Sequence, residues 1–208
     1  MDSIEYGFVH IPKNGGTSVC EFLHKNYPKT FVCNTINGKA PYHSLTTAHA
    51  DVPIVIIRNP VDRFLSAYYY WRNGPINGPH KKVYKDHPYT DLTIDQFIDL
   101  LQKDKSIVNS SITWDVHFNP QYYWIKEEDY AKTIVIRYVK DLSDSIYSLV
   151  DYLKLPKYQY PMQKINTCCY NPIELSKYSL DYINSVYYKD FALWQSVLSK
   201  DNIFKLII

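Results

Sequence analysis

The sequence predicts an α/β fold: a central, mostly parallel sheet flanked by helices in a three-layer, P-loop-like domain. Short apolar, β-branched runs alternate with helical stretches, the signature of a parallel sheet built from strand–helix units. Two of the runs, at residues 6–11 and 54–57, end in a turn that opens directly into a helical pattern. The length of 208 residues suits a single domain over residues 1–208, able to bury a proper core without disulfides or metals.

Tyr6-Gly7-Phe8-Val9-His10-Ile11 is the first run, a buried strand that Pro12 ends because it has no N–H for a sheet ladder. Gly15-Gly16 permit positive φ and close backbone approach, and Thr17-Ser18 open a helix with Val19, Phe22 and Leu23 on one side. Residues 31–33 read as a second short strand, residues 34–42 as loop, and residues 43–49 fit either a loop or a short helix. Ile54-Val55-Ile56-Ile57 has the character of a central parallel strand. After it, Asn59 suits an N-cap and Pro60 the first helical position, so a helix is expected over residues 61–72.

Residues 73–91 hold Gly, Pro, His and Lys without periodicity and predict a long exposed loop. Residues 93–103 place Ile94, Phe97, Ile98 and Leu101 at helical spacing. Residues 133–136 form another strand, and Asp141 caps a helix striped by Leu142, Ile146, Leu149, Val150 and Leu153. Asn171-Pro172-Ile173-Glu174 gives an N-cap signal for a helix running toward Tyr188, with a last helix over residues 190–198.

A net charge of +2 gives no global polyanion-binding character, so no nucleic acid partner is expected and any anion site must be local. No signal pattern is visible at the N-terminus, and no apolar run approaches the ~18–20 residues that span a bilayer. A cytoplasmic location is the expectation. The four cysteines, Cys20, Cys33, Cys168 and Cys169, have neither zinc spacing nor a disulfide framework and read as reduced thiols.

The chemistry concentrates at two places. A strand, a Gly-rich turn and a helix N-terminus make an anion site, because backbone N–H groups converge there and the helix dipole favours negative charge. Lys13 adds a full positive charge, and Thr17 and Ser18 add hydroxyl donors. A plain tight turn is the other reading. The Walker A loop is absent: Lys13 precedes the glycines, and no Gly-Lys-Ser/Thr occurs in the chain. The second place is Arg58, at the C-terminal end of a strand where open α/β sheets bind ligands, with Ser66 two helical turns further on. Arginine matches a phosphate through paired N–H donors. Two such sites imply a ligand with two separated anionic groups.

At these residues the chain resembles the sulfotransferases of the carbohydrate type, related to the heparan and chondroitin sulfotransferases. Ile11-Pro12-Lys13-Asn14-Gly15-Gly16-Thr17-Ser18 is similar to the 5′-phosphosulfate loop of that family. The run from Ile57-Arg58-Asn59-Pro60 through Arg63, Ser66 and Tyr69 is similar to its 3′-phosphate motif. Val116-His117-Phe118-Asn119-Pro120-Gln121, Lys164-Ile165-Asn166 and Tyr188-Lys189-Asp190-Phe191 resemble further family segments, so the likeness covers most of the chain in order. Arg137-Tyr138-Val139-Lys140-Asp141-Leu142 departs from the pattern, lacking the Glu that follows Arg-Phe there.

The resemblance implies a donor, 3′-phosphoadenosine 5′-phosphosulfate (PAPS), and a hydroxyl acceptor, a glycan or glycoconjugate. Lys13, Asn14, Gly15, Gly16, Thr17 and Ser18 would hold the 5′-phosphosulfate, and Arg58 with Ser66 the 3′-phosphate. No metal is required, because Lys13 and backbone donors can stabilise charge on the leaving phosphate.

The hydroxyl must lose a proton, and histidine suits that task near neutral pH. Of the seven histidines, His10 and His24 read as structural, and His80 and His87 fall in the long loop. The resemblance favours His43 as base, on a segment upstream of the 3′-phosphate motif, with His49 and His117 as alternatives. His117 also fits a residue that orders the Pro120-Gln121 turn. Glu21 and Asp51 are outside candidates, Glu21 fitting a solvated helix face better. Lys81, Lys82 and Lys85, with His80, suit either a solvated loop or a lid gripping an acidic acceptor. Two other classes compete: a P-loop-type kinase, disfavoured by the missing Walker A and the Arg58/Ser66 pair, and a non-catalytic nucleotide-binding module, disfavoured by Lys13 and the candidate base.

Overall fold

The computed structural model describes residues 4–33, 50–73, 91–103, 115–138, 141–165, 173–196 and 203–205. Five strands are defined: β1 (Tyr6–Val9), β2 (Phe31–Cys33), β3 (Val52–Ile57), β4 (Ile134–Arg137) and β5 (Ile203–Lys205). They form one sheet in the order β2-β1-β3-β4-β5, parallel except for β5, which runs against β4. The helices are α1 (Gly16–Asn26), α2 (Pro60–Asn73), α3 (Ile94–Lys103), α4 (Leu142–Tyr152), α5 (Lys177–Val186) and α6 (Tyr188–Ser196). Three 3-10 turns, Asp115–Phe118, Gln121–Trp124 and Glu127–Lys132, lead into β4.

Alternation along the strands builds the layers. Phe8, Ile54, Ile56, Ile134 and Ile136 point to one face and pack with Val19, Phe22 and Leu23 of α1 and with Leu142, Ile146 and Leu149 of α4. Val9, Val55, Ile57 and Val135 point to the other face and meet Val116, Trp124 and Ile125. A further cluster joins Phe64, Tyr68 and Trp71 of α2 to Phe97 and Ile98 of α3, Tyr182 and Ile183 of α5, and Phe118. The fold is therefore α/β, with helices on both faces of a mostly parallel sheet. Among the described residues no helix is long and apolar enough to cross a membrane.

The local signals mostly landed. Asn59 Oδ1 accepts from the N–H groups of Val61 (2.9 Å) and Asp62 (3.3 Å), capping α2 as expected. Asp141 caps α4 by accepting from Ser143 N at 2.9 Å. The first strand is shorter than expected. Ile11 N turns back to Val9 O at 3.1 Å, so the chain leaves the sheet before Pro12. The Asn171–Glu174 signal is not where α5 begins; Ser176 is the cap, accepting from Ser179 N at 3.0 Å. Ser176 wins because its hydroxyl also donates to Asp95 of α3 at 2.7 Å, a tertiary bond no local pattern reveals. α6 begins at Tyr188 rather than residue 190.

Cys20 and Cys33 are free thiols in one core. The hydrogen bond to Cys33, then burial, holds the Cys20 thiol well above its ordinary value. Cys168 and Cys169 lie outside the described residues, as does the predicted loop from residue 74 to residue 90, α2 itself extending through Asn73.

β1 and β3 are parallel neighbours, with Val9 opposite Val55. The chain therefore leaves both at the same edge of the sheet, which brings the loop at residues 10–15 beside the turn at residues 58–59.

Candidate active site

The loop after β1 holds two residues in left-handed backbone conformation, Lys13 (φ 67°) and Gly15 (φ 76°). Gly15 is the N-cap position of α1. A Cβ there would run into the Leu142 side chain, and one on Gly16 would run into the His10 ring, so close packing as well as backbone freedom demands the glycines. No side chain caps α1 among the described residues, and its first turn has no acidic residue. The amides of Gly16, Thr17 and Ser18, first in the helix, have no carbonyl one turn behind them to bond. Among the described residues, no acidic side chain thus compensates the positive end of the α1 dipole within its first turn. Ser18 Oγ accepts from Ile165 N at 2.8 Å, which anchors the segment after α4 and leaves the hydroxyl hydrogen as a donor.

The two loops are tied to each other. Arg58 Nη1 donates to the Lys13 carbonyl at 3.1 Å, and the guanidinium lies 4.9 Å from the Tyr138 ring. Arg63 is 1% exposed; its Nε donates to Pro12 O (3.0 Å) and its Nη1 to Asn119 O (2.8 Å). Burial pulls the Arg63 guanidinium below its ordinary value, and the charges of Tyr187 and Asp190 oppose that. Asn14 Nδ2 donates to Ile56 O (2.5 Å) and to Gln121 Oε1 (2.7 Å). Gln121 Oε1 also accepts from Arg58 N (2.9 Å), while Nε2 donates to Arg58 O (2.8 Å).

Behind Gln121 stands Asp190 of α6. Its carboxylate accepts from Gln121 N (2.7 Å) and Tyr122 N (3.0 Å), capping the 3-10 turn. Burial pushes the Asp190 carboxyl up, and Arg63 with the two backbone N–H groups hold it back.

One face of α2 looks onto the first loop. Arg63, Ser66 and Tyr70 are spaced i, i+3 and i+7, so they share that face. Arg63 reaches Pro12, and the Tyr70 ring lies 3.7 Å from Lys13 Nζ. His117 is buried and stacked on Tyr70, the ring centroids 5.5 Å apart and the planes 21° from parallel. Ser66, on the same face, is buried.

The structure sorts the predicted residues. Lys13, Gly15, Gly16, Thr17 and Ser18 gather at the α1 N-terminus, and Arg58 reaches them. Asn14 does not face them: its amide is 1% exposed and turned inward, so it shapes the loop. His43, His49, His80, His87, Lys81, Lys82 and Lys85 lie outside the described residues. His117 joins the Tyr70 stack and also lies edge-on to Trp71. Glu21 is ruled out by its place on the exposed flank of α1, paired with Lys25 at 2.6 Å. Asp51 is ruled out too. It accepts from Glu5 N at 3.0 Å at the N-terminal edge of β3, a full six-residue strand, or ~20 Å, from the Arg58 edge. Sequence reasoning missed Gln121, Asp190 and Tyr70 as site-building residues. The first two lie in segments already marked by the family resemblance, which was the available signal.

This fold and site define an α/β domain in which a glycine turn and an arginine turn at one sheet edge are fused into a single unit. The model of the sulfotransferase family matches residues 6–195, spanning both turns, the Gln121–Asp190 clamp and the first four strands. The chain belongs to the sulfotransferase family, whose enzymes transfer a sulfuryl group to a hydroxyl acceptor. Neither the curated proteins nor the solved structures returned a match.

Proposed function

We propose that residues 1–208 are one catalytic domain that moves a sulfuryl group from PAPS to a hydroxyl of a carbohydrate acceptor. The observation that carries this reading is the contact between the two loops. Arg58 bonds the Lys13 carbonyl, so a cationic residue of each loop meets the other just ahead of α1, which no side chain caps among the described residues. A donor with a phosphosulfate at one end and a 3′-phosphate at the other matches that pair. Lys13, Gly15, Gly16, Thr17 and Ser18 would receive the phosphosulfate through backbone amides, hydroxyls and the ammonium. Arg58 and Ser66 would take the 3′-phosphate, and Asn14 would hold the loop in shape from behind. The carbohydrate acceptor rests on the sequence resemblance.

In the transfer, the acceptor oxygen forms a bond to sulfur as the bond from sulfur to the bridging 5′-phosphate oxygen breaks. 3′-Phosphoadenosine 5′-phosphate leaves, and the hydroxyl proton passes to a base. Lys13 stabilises the negative charge that grows on the bridging oxygen. His43 is assigned as the base, with His49 and His117 as alternatives. The pH–rate profiles of His43→Ala, His49→Ala and His117→Ala decide among them, because only loss of the true base removes the acid limb.

Thermal-shift measurements with the bisphosphate, ATP and 5′-AMP test the donor. The bisphosphate should stabilise the protein and 5′-AMP much less. Stabilisation by ATP alone would favour a kinase, and bisphosphate binding without turnover a non-catalytic module. Arg58→Ala should weaken the bisphosphate by about ten-fold or more, with less effect on 5′-AMP, as one charge-assisted hydrogen-bonding group is lost. Equal losses for both nucleotides would remove Arg58 from the 3′-phosphate site.

A further inference from the structure

We infer that Tyr70 is a positioning residue for sulfuryl transfer: its ring seats the Lys13 ammonium where charge develops on the leaving phosphate. The inference rests on the functional reading of Lys13 above.

Tyr70 stands apart in the aromatic run of α2. Phe64, Tyr68, Tyr69 and Trp71 all join the apolar cluster with α3 and α5. Tyr70, equally buried, belongs to none of the three apolar clusters. Its ring meets an ammonium at 3.7 Å and a stacked imidazole at 5.5 Å. Among the described residues, the ring contacts of Tyr70 with Lys13 and His117 are to polar side chains.

The backbone of Lys13 is already fixed. Its left-handed φ of 67° is held by Arg58 on its own carbonyl and by Arg63 on the carbonyl of Pro12. Its side chain is of a kind that is among the most rotationally mobile of all, and its ammonium meets the Tyr70 ring. A buried aromatic face within ~6 Å attracts a cation through the ring quadrupole, more strongly as water is removed. Tyr70 supplies that face from the helix surface that also carries Arg63 and Ser66. One helix thus sets both the loop backbone and the direction of its ammonium. A charge held in place before reaction costs no reorganisation as the bridging oxygen becomes negative.

The test is a ring series at position 70 in the full chain, with donor and acceptor saturating. Tyr70→Phe keeps the face and should retain kcat within about two-fold. Phenylalanines of increasing fluorination keep the shape and drain the ring quadrupole, so kcat should fall stepwise, by about ten-fold at the most fluorinated. The donor Kd should stay within about two-fold throughout, since the loss is in the transition state. In a Lys13→Ala background the same series should be flat, because the two residues act as a unit. The Lys13 ε-methylene protons should resonate upfield under the ring current in the wild type and in Tyr70→Phe, and lose that shift in Tyr70→Leu. A flat series in an active enzyme, or an equal fall without Lys13, would overturn the role. A wild-type protein that transfers no sulfuryl group would overturn the functional reading and this role with it, while the ring-current shift separately reports whether the seat exists.

Discussion

Lys13→Ala should lower kcat by about 10²–10³ while changing the affinity for 3′-phosphoadenosine 5′-phosphate far less. The split follows from where the charge is needed. In the proposed ground state the phosphosulfate would already meet the first amides of α1, the Thr17 and Ser18 hydroxyls and the helix dipole. The bridging oxygen acquires its charge only as the bond to sulfur breaks. An interaction that strengthens at that moment lowers the barrier without tightening donor binding. The backbone confounds the substitution little. Lys13 holds φ 67°, and alanine suffers the same left-handed strain, ~1–2 kcal/mol, so the two differ mainly in the ammonium. Lys13→Met, which keeps the length of the chain, should lose as much kcat as Lys13→Ala. If either variant raises only the donor KM and leaves kcat intact, Lys13 is a binding residue and the charge on the leaving phosphate is stabilised elsewhere.

What the sequence showed was what neighbouring residues decide. The runs of β1, β3 and β4 are buried on both faces, so their apolar character is continuous and visible at a distance of a few residues. The Asn59 cap, the Asp141 cap and the glycines before α1 are likewise local. The parts that stayed hidden are long-range choices among equivalent local signals. The Asn171–Glu174 signal read as the cap, while the actual cap, Ser176, is tied by its hydroxyl to Asp95, 81 residues away. Tyr70 is one ring in Tyr68-Tyr69-Tyr70-Trp71, and helical spacing cannot say which ring meets an ammonium. The glycine turn and the arginine turn, each a candidate anion site, were legible one at a time. Their fusion depends on Gln121, 63 residues beyond Arg58, and on Asp190, 69 residues beyond Gln121. These distant polar groups fix the spacing of the glycine turn and the arginine turn.

Gln121→Leu should therefore cost about 2–4 kcal/mol of stability, because it leaves the Arg58 N–H and C=O without their partner in a site that excludes much of the water. In a domain of this size that corresponds to a fall in Tm of ~5–15 °C. The side chain is fully buried, and its amide makes three bonds, from Asn14 and Arg58 N to Oε1 and from Nε2 to Arg58 O. Removing it frees both loops at once. The surviving folded protein should lose affinity for 3′-phosphoadenosine 5′-phosphate and for 5′-AMP alike, unlike Arg58→Ala, which should penalise the bisphosphate more than 5′-AMP. Gln121→Glu is the sharper variant. Protonated, the introduced carboxyl can accept from Asn14 and Arg58 N and donate to Arg58 O, reproducing the amide. Ionised, it sets a second acceptor against that carbonyl. Burial and the facing carbonyl raise its folded pKa above the ordinary ~4.3 of glutamate. The neutral form is the one the fold prefers, so the deficit relative to wild type is smallest below the ordinary value. It widens with rising pH by up to about 1.4 kcal/mol per unit until the folded pKa is passed. Paired denaturant titrations of wild type and Gln121→Glu between pH 5 and pH ~8 measure that gap. A constant gap across the range would mean that the Gln121 side chain does not hold the Arg58 turn through its amide donor.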